Sequence, residues 1–297
     1  MATRMLICLM VSALLNLASP AYHACRAEED EQAKAAAHLK HFLAKIDLVV
    51  SGECDVTTTY KVPAEPKRDA IIQRFTTAFD HAKNRHRWYW LHPDTPTFYA
   101  INEEALSFWS AKRPREAYIY PKDGARGMAD EMYPLDLRYA GLAGLHSVYS
   151  RVPFEEYRKT TLDALDPVGC KKDGAAVVCV FMKGERLRYT WRFEGRQDGM
   201  PSEFLIDFAQ KPGGPFEPAV KVNLEWEKHG KTWRPTDWVI VDGAGTTNFS
   251  IKLRWDSLNE PIPERTFDLR GFVLEPGTEV WDMRNDPATL ERIIGPG

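Results

Sequence analysis

The sequence predicts an α+β protein that is mainly antiparallel β, and three observations predict it. First, 220–255 alternates with period two: Val220, Val222, Leu224 and Trp226 against Lys221, Asn223, Glu225 and Glu227, then Phe249, Ile251, Leu253 and Trp255 against Ser250, Lys252, Arg254 and Asp256. That is the pattern of strands with one covered and one wet face. Second, most of the remaining apolar runs are short and separated by polar turns, as in a sandwich or barrel. Third, helical spacing occurs in only two places, 28–46 and an insertion at about 124–165.

In chain order, Met1-Ala2-Thr3-Arg4 is a basic start and Met5–Ala18 is uncharged and apolar, too short to span a bilayer comfortably. Small residues follow at Ser19, Ala21, Ala24 and Ala27. Residues 1–27 therefore read as a secretory signal peptide, cleaved after Ala21 or after Ala27. Cys25 would anchor a lipid if cleavage fell just before it, but Tyr22 stands where an aliphatic residue is needed three positions back, so a soluble exported chain, periplasmic or secreted, is expected. No later stretch is long and apolar enough for a membrane helix.

Residues 28–284 are expected as a single domain and 285–297 as a C-terminal tail. Glu28–Ile46 is acidic in its first turn and carries Leu39, Phe42, Leu43 and Ile46 at helical spacing, so it should lie across a sheet. Strands are expected at Asp55–Val62, in one or two pieces over Ile71–Leu91 around the turn Asp80–Arg85, at Thr97–Ile101, Leu106–Trp109 and Glu116–Tyr120. Within the insertion, Phe154–Leu165 follows Pro153 and opens with Glu155 and Glu156, a helix start.

From Ala175 the meander resumes. A turn at Lys183-Gly184 pairs Val180 with Leu187, Val178 with Tyr189 and Ala176 with Trp191, which sends Cys179 and Phe181 to the face of Arg186, Arg188 and Arg192. A turn at His229-Gly230 sets Trp226 opposite Trp233. Pro235 cannot donate to the ladder and marks a bulge that returns Trp238 and Ile240 to the inside. Glu279–Asp282 is a last short strand, and a frayed helical turn is expected beyond Pro287.

An exported chain meets an oxidising space, so Cys170 and Cys179 are candidates for a disulfide. A type II′ turn at Gly174-Ala175 sets them opposite; a type I′ turn at Asp173-Gly174 sets them diagonal and too far apart.

Composition bounds function. The 297 residues are 44% hydrophobic and 27% charged, with net charge -3, and loss of Arg4 and Arg26 with the leader makes the chain more acidic. Nucleic-acid binding, which needs a basic field, is excluded. The nine tryptophans mostly alternate along strands, as large core side chains do. On one extended strand His81 would face away from His86 and His92, and no Cys or carboxylate spacing completes a site; His38 and His41 lack a third ligand, so no metal and no cofactor is expected. There is no nucleophile elbow, phosphate loop, dinucleotide fingerprint or zincin motif. The adjacent pairs Glu103-Glu104 and Glu155-Glu156 do not converge on one bond. Arg186, Arg188 and Arg192 share a strand face that could meet an anion or simply solvent.

The order of elements now shows a resemblance. A leader and one helix precede strands bearing F-D-H-A-K-N-R-H-R-W-Y at Phe79–Tyr89 and F-Y-A-I-N at Phe98–Asn102; a helical insertion and then W-E-K-H-G-K-T-W-R-P at Trp226–Pro235 follow. This resembles the bacterial outer-membrane lipoprotein-sorting carrier superfamily (LolA/LolB-like) over Ala44–Asp282. The resemblance implies a half-open β-barrel, a strongly curved meander with helices on its concave side, and an apolar cavity for acyl chains. No functional residue transfers, because the likeness is one of pattern.

The expected function is a non-catalytic cell-envelope protein that binds a hydrophobic ligand, such as a lipid or a lipoprotein acyl chain. Chosen by alternation, the concave face would be lined by Trp191, Leu224, Trp226, Trp233, Leu253 and Trp255; a closed, filled core would use the same residues. The alternatives are a protein-binding or sensor module, marked by an exposed arginine face or sheet edge, and an envelope hydrolase, marked by perturbed carboxylates in a cleft.

Overall fold

The computed structural model describes residues 28–61, 69–92, 94–122, 136–142, 153–243, 247–284 and 288–292. The leader with Cys25, and much of the insertion expected at 124–165, lie outside the described residues.

Two meanders share one open, curved sheet of 15 strands. The first consists of β1 (Ser51–Tyr60), β2 (Ile71–Asp80), β3 (Arg85–Trp90), β4 (Thr97–Ile101), β5 (Ala105–Ser110) and β6 (Glu116–Pro121). The second consists of β7 (Asp166–Asp173), β8 (Ala176–Lys183), β9 (Leu187–Glu194), β10 (Met200–Ala209), β11 (Phe216–His229), β12 (Thr232–Asp242) and β13 (Thr247–Leu258). They join where β1 pairs antiparallel with β13, as in Val56 opposite Leu253. At the far side, β14 (Glu279–Asp282) adds to β6, the one parallel pair among the described residues, and β15 (Thr289–Arg292) adds to β14. The sheet stays open because β7 and β15 are its two edges and do not meet.

Helix α1 (28–46) lies across the second meander. Its buried stripe, Ala35, Leu39, Phe42, Leu43 and Ile46, recurs every three or four residues and faces the sheet. Phe42 meets Trp226 edge-on at 6.0 Å and Phe193 at 6.2 Å. Lys45 pairs with Asp198, and Asp47 accepts from Arg158 at 2.9 Å. The helix expected over Phe154–Leu165 is shorter: one α turn, α2 (Phe154–Tyr157), runs into a π turn at Arg158–Leu162.

Three expectations are corrected. The β8–β9 connection has three residues after Lys183, which pairs with Leu187; Gly184 takes φ 61°. Cys179 therefore opposes Trp191 and Phe181 opposes Tyr189, and all four are buried. The odd shift from the expected register moves Cys179 and Phe181 from the arginine face to the core, because side chains alternate with period two. In the β11–β12 hairpin, Gly230 (φ 60°) and Lys231 form the loop, so Trp226 opposes Pro235 and Trp233 opposes Lys228. That is a shift of two, which leaves both indoles on the same side. The bulge falls at Glu225/Trp226, across from Pro235, and Trp238 and Ile240 are buried as expected. Beyond Pro287 the chain forms β15 rather than a helical turn; the 3-10 turns Glu264–Phe267 and Leu269–Gly271 precede β14.

Cys170 and Cys179 are directly opposite and bonded, with Cα atoms 4.2 Å apart. The register is that of a Gly174-Ala175 turn, with Gly174 at φ 61°. The bond ties the edge strand β7 to the core strand β8. Reduction should lower the unfolding free energy by roughly 2–3 kcal/mol, the loop entropy of a cross-link of this size, and raise the intact mass by two hydrogens. Identical urea midpoints with and without reductant would contradict the tether.

Candidate functional site

The concave side has two unlike halves. Over β8–β13 it is covered. Trp191 is 0% exposed; its indole N–H donates to the Gly141 carbonyl at 2.7 Å, and its ring stacks on Phe204 at 4.8 Å. Gly141 lies in the segment 136–142, at φ 74°, and a Cβ there would come within 3.2–3.4 Å of Pro201, Leu224 and Phe42. Glycine lets the segment close onto the sheet. Tyr157 of α2 donates to the Leu142 carbonyl at 2.7 Å, so the insertion is fastened to itself as well as to the sheet.

The six residues expected to line a cavity sit in or against this packing. Trp191, Leu224 and Trp226 lie beneath the segment and α1, and the Trp226 N–H donates to Pro201 at 2.7 Å. Trp233 and Leu253 are buried in the same core. Trp255 is half-buried, donates to the Pro235 carbonyl at 2.8 Å and packs on Phe79 at 6.1 Å. Leu253 also reaches a 420 Å³ cleft with Val56, Phe75 and Leu91, rimmed by Arg74, Lys252 and Arg254. Filled core, not cavity wall, is the role of most of the six.

Over β3–β6 the concave side is different. Trp88, Tyr99, Phe108, Tyr118 and Trp281 are successive cross-strand partners through β3, β4, β5, β6 and β14. Ring centroids are 4.9 Å apart for Tyr99–Phe108 and 6.4 Å for Phe108–Tyr118. Cover thins along the row: Trp88 is 8% and Tyr99 7% exposed, Phe108, Tyr118 and Trp281 are half-buried, and Leu290, next on β15, is 47% exposed. A polar group sits beside the row at Tyr118, whose hydroxyl donates to Glu116, and Arg113 reaches both. The Glu116 hydrogen bond holds the Tyr118 hydroxyl above its ordinary pKa.

Sequence reading missed this row, although its signal is present. Trp88-Tyr89, Phe98-Tyr99 and Phe108-Trp109 are adjacent aromatic pairs, so each strand gives one ring to each face. The opposite face carries Tyr89, Phe98 and Trp109, all packed on Phe272 at 4.6–5.3 Å. Two apolar faces leave alternation without contrast.

A buried polar cluster stands beside the row. His81 and His86 have ring centroids 5.6 Å apart, and His81 Nε2 is 3.7 Å from Asp136 Oδ1. Both His81 ring nitrogens lack a hydrogen bond. Arg138 holds Asp136 through Nε and Nη2, reaches Glu155 at 3.1 Å and lies over the Phe154 ring. Burial pushes His81 down to about 3 and His86 to about 4. Burial alone would raise the Asp136 carboxyl, but the Arg138 hydrogen bond and the nearby charges keep it below its usual range. Asp136 is thus an ion-pair anchor for the covering segment. No group of three or more His, Cys, Asp or Glu is arranged to hold a metal ion among the described residues. His38 stacks on Phe193, and His92 accepts from the Asp94 N–H.

The arginine face is engaged internally. Arg186 lies over Phe208 and donates to Ala209, Arg188 pairs with Asp207 over Phe216, and Arg192 pairs with Asp173 and Glu194. No helix among the described residues is long and apolar enough to cross a membrane.

No family model and no curated protein matches the chain. Among solved structures it is similar to a LolA superfamily protein from Nitrosomonas europaea, at 10% identity over 78% of this chain and 96% of that one, with a TM-score of 0.43. It is also similar to a DUF1329 family protein from Desulfovibrio piger, at 11% identity over 81% and 99%, with a TM-score of 0.42. A third similar structure is described as an outer membrane lipoprotein-sorting protein domain, from Vibrio parahaemolyticus, at 10% identity over 81% and 97%, with a TM-score of 0.42.

Proposed function

We propose that this is a non-catalytic, exported cell-envelope protein that binds a hydrophobic ligand, an acyl chain, along the aromatic row of β3–β6 and β14. The thinning cover along that row carries the reading: aromatic rings in cross-strand register lead from the packed core to the open edge of the concave side. Rings stacked this way give a long apolar chain continuous contact at little entropic expense. The residues expected on β9–β13 pack against α1 and the segment 136–142, which favours the less covered half of the concave side for the ligand. The leader-like start and the Cys170–Cys179 bond support export. The Asp136 carboxylate is committed to Arg138, which disfavours the hydrolase reading, and the engaged arginines disfavour an anionic protein partner.

The test is uptake of a fluorescent fatty-acid probe by the delipidated protein. The native chain should bind with quenching of tryptophan emission. Phe108→Ser should weaken uptake at least tenfold, the equivalent of roughly 1.5–3 kcal/mol for one buried aromatic. Absence of uptake, or a Phe108→Ser chain that binds as well as the native one, removes the reading.

A further inference from the structure

The deep end of the aromatic row is polar. His86 and Trp88 are buried on the same face of β3, and their rings stack at 6.4 Å. His81, in the turn after β2, places its ring 5.6 Å from His86 and 4.6 Å from Phe79. Asp136 of the covering segment comes down on His81. A chain laid on the row from its open edge would reach these groups last, after Tyr118, Phe108, Tyr99 and Trp88.

Two observations mark this polar end as incomplete. The His81 side chain is 7% exposed, yet among the described residues neither Nδ1 nor Nε2 has a hydrogen bond. Buried polar atoms are normally satisfied, and leaving one without a partner costs stability. Burial keeps both imidazoles neutral at pH 7, at about 3 for His81 and about 4 for His86, so His81 offers an N–H on one nitrogen and a lone pair on the other. Independently, His81 Nε2 stands 3.7 Å from Asp136 Oδ1. That is too far for a hydrogen bond, but a single oxygen about 2.8 Å from each atom would bridge them. Arg138 gives Asp136 its backbone N–H, Nε–H and one Nη2–H. A carboxylate has about four acceptor sites, so Asp136 has room for one more donor.

We propose that the preferred ligand is a lipid with a neutral hydroxyl, its hydrocarbon along the row and its hydroxyl between His81 Nε2 and Asp136 Oδ1. This rests on the reading of the row as the acyl-chain site and names the polar end of that chain. The hydroxyl donates to the carboxylate and accepts from the Nε2–H, the tautomer that a neighbouring carboxylate favours. A carboxylate in this position would face Asp136, and an ammonium would face Arg138; the hydroxyl meets neither repulsion. A metal ion is not the occupant, because His81, His86 and Asp136 are not arranged to hold one. A fatty acid uses the same row with its carboxylate toward the open edge, and so gains nothing from His81.

The experiment sets dodecanol against its isomer methyl undecyl ether, which has the same atoms and no O–H. Each is used to displace the fluorescent fatty-acid probe from the purified full chain at pH 7.5, while NMR follows the imidazole nitrogens of His81. Dodecanol should displace the probe at a concentration about fivefold to tenfold lower than the ether, the net effect of one hydrogen bond to a charged group after the lost bond to water. It should also move the His81 Nε2 resonance, which the ether leaves in place. His81→Phe should make the two isomers equal, with its fold checked by circular dichroism. A native chain that takes up the probe but treats the isomers alike, with unmoved imidazole resonances, has structural water only in the gap; that overturns this proposal and leaves the row as the acyl-chain site. A chain that takes up no probe overturns both. A folded His81→Phe chain that still prefers dodecanol overturns the placement at His81. The NMR measurement needs no variant, so it decides the matter even if His81→Phe does not fold.

Discussion

Trp191→Ala should be the most damaging single substitution in this protein. The native indole is completely enclosed, stacks on Phe204 and Tyr189, meets Phe181 edge-on and donates to the Gly141 carbonyl. Truncating a buried aromatic to alanine costs about 3–5 kcal/mol through lost transfer energy and the cavity left behind. The Gly141 carbonyl, buried with its segment, then loses its donor, for roughly 1–3 kcal/mol more. For a protein whose whole stability is about 5–15 kcal/mol, the sum threatens folding. Trp191→Phe separates the two contributions, because it keeps most of the packing and loses the hydrogen bond. Urea unfolding should rank native, then Trp191→Phe, then Trp191→Ala. An alanine variant within 1 kcal/mol of native would mean that the segment 136–142 does not close on the sheet as described.

The second large effect is on acid. His81 and His86 are buried together, their pKa values are depressed to about 3 and about 4, and the charges around them are Asp80 and Asp136 on one side and Arg138 and Lys122 on the other. The unfolded chain takes up protons on both imidazoles near the ordinary value of 6.5, whereas the folded chain does so only at the depressed values. Between those limits the unfolded state binds more protons, so stability falls as pH falls. The loss begins below about pH 6.5, and His86 contributes until about 4 and His81 until about 3. It totals several kcal/mol at 1.36 kcal/mol per pKa unit. Asp136, whose pKa is lowered, contributes in a lower window: its stabilisation is present above the ordinary carboxylate value of 3.8 and is lost as pH falls below it. Urea midpoints measured from pH 7.5 to 4.5 should decline, and the double variant His81→Phe/His86→Phe should flatten that slope. A native chain as stable at pH 4.5 as at 7.5 would show that the pair is not desolvated.

Legibility from sequence followed contrast between faces. The strands over 220–255 alternate apolar with charged residues, and their existence, covered face and the bulge at Pro235 could be read. Two hairpin registers could not, because they depend on turn geometry: Gly184 and Gly230 each admit a shifted loop, and both shifts occurred. In the first meander both faces are apolar, so the strands were found but the row Trp88–Tyr99–Phe108–Tyr118 was not. Trp191 and Trp226 were picked as cavity walls by alternation, which has a related limit. Alternation reports that a side chain is covered, not whether ligand or protein covers it; here α1 and Gly141 do. His81 and His86 seemed separate on a strand, and the turn at Asp80–Arg85 folds them together.

The pairing of β1 with β13 has a consequence for the order in which the chain assembles. Arg254 and Asp55 meet across that seam at a separation of 199 residues, whereas Cys170 and Cys179 meet across 9. By loop-closure scaling the seam demands roughly 3 kcal/mol more entropy than a hairpin. Neighbouring strands within either meander therefore zip first, each rewarded as it forms. The seam comes late, after both ribbons exist. Until then β1 and β13 are unpaired edges at the centre of the future sheet, the most adhesive surfaces the molecule ever presents. A chain emerging N-terminus first shows β1 to its surroundings long before β13 arrives, so its interval of greatest vulnerability is set by topology rather than by final stability.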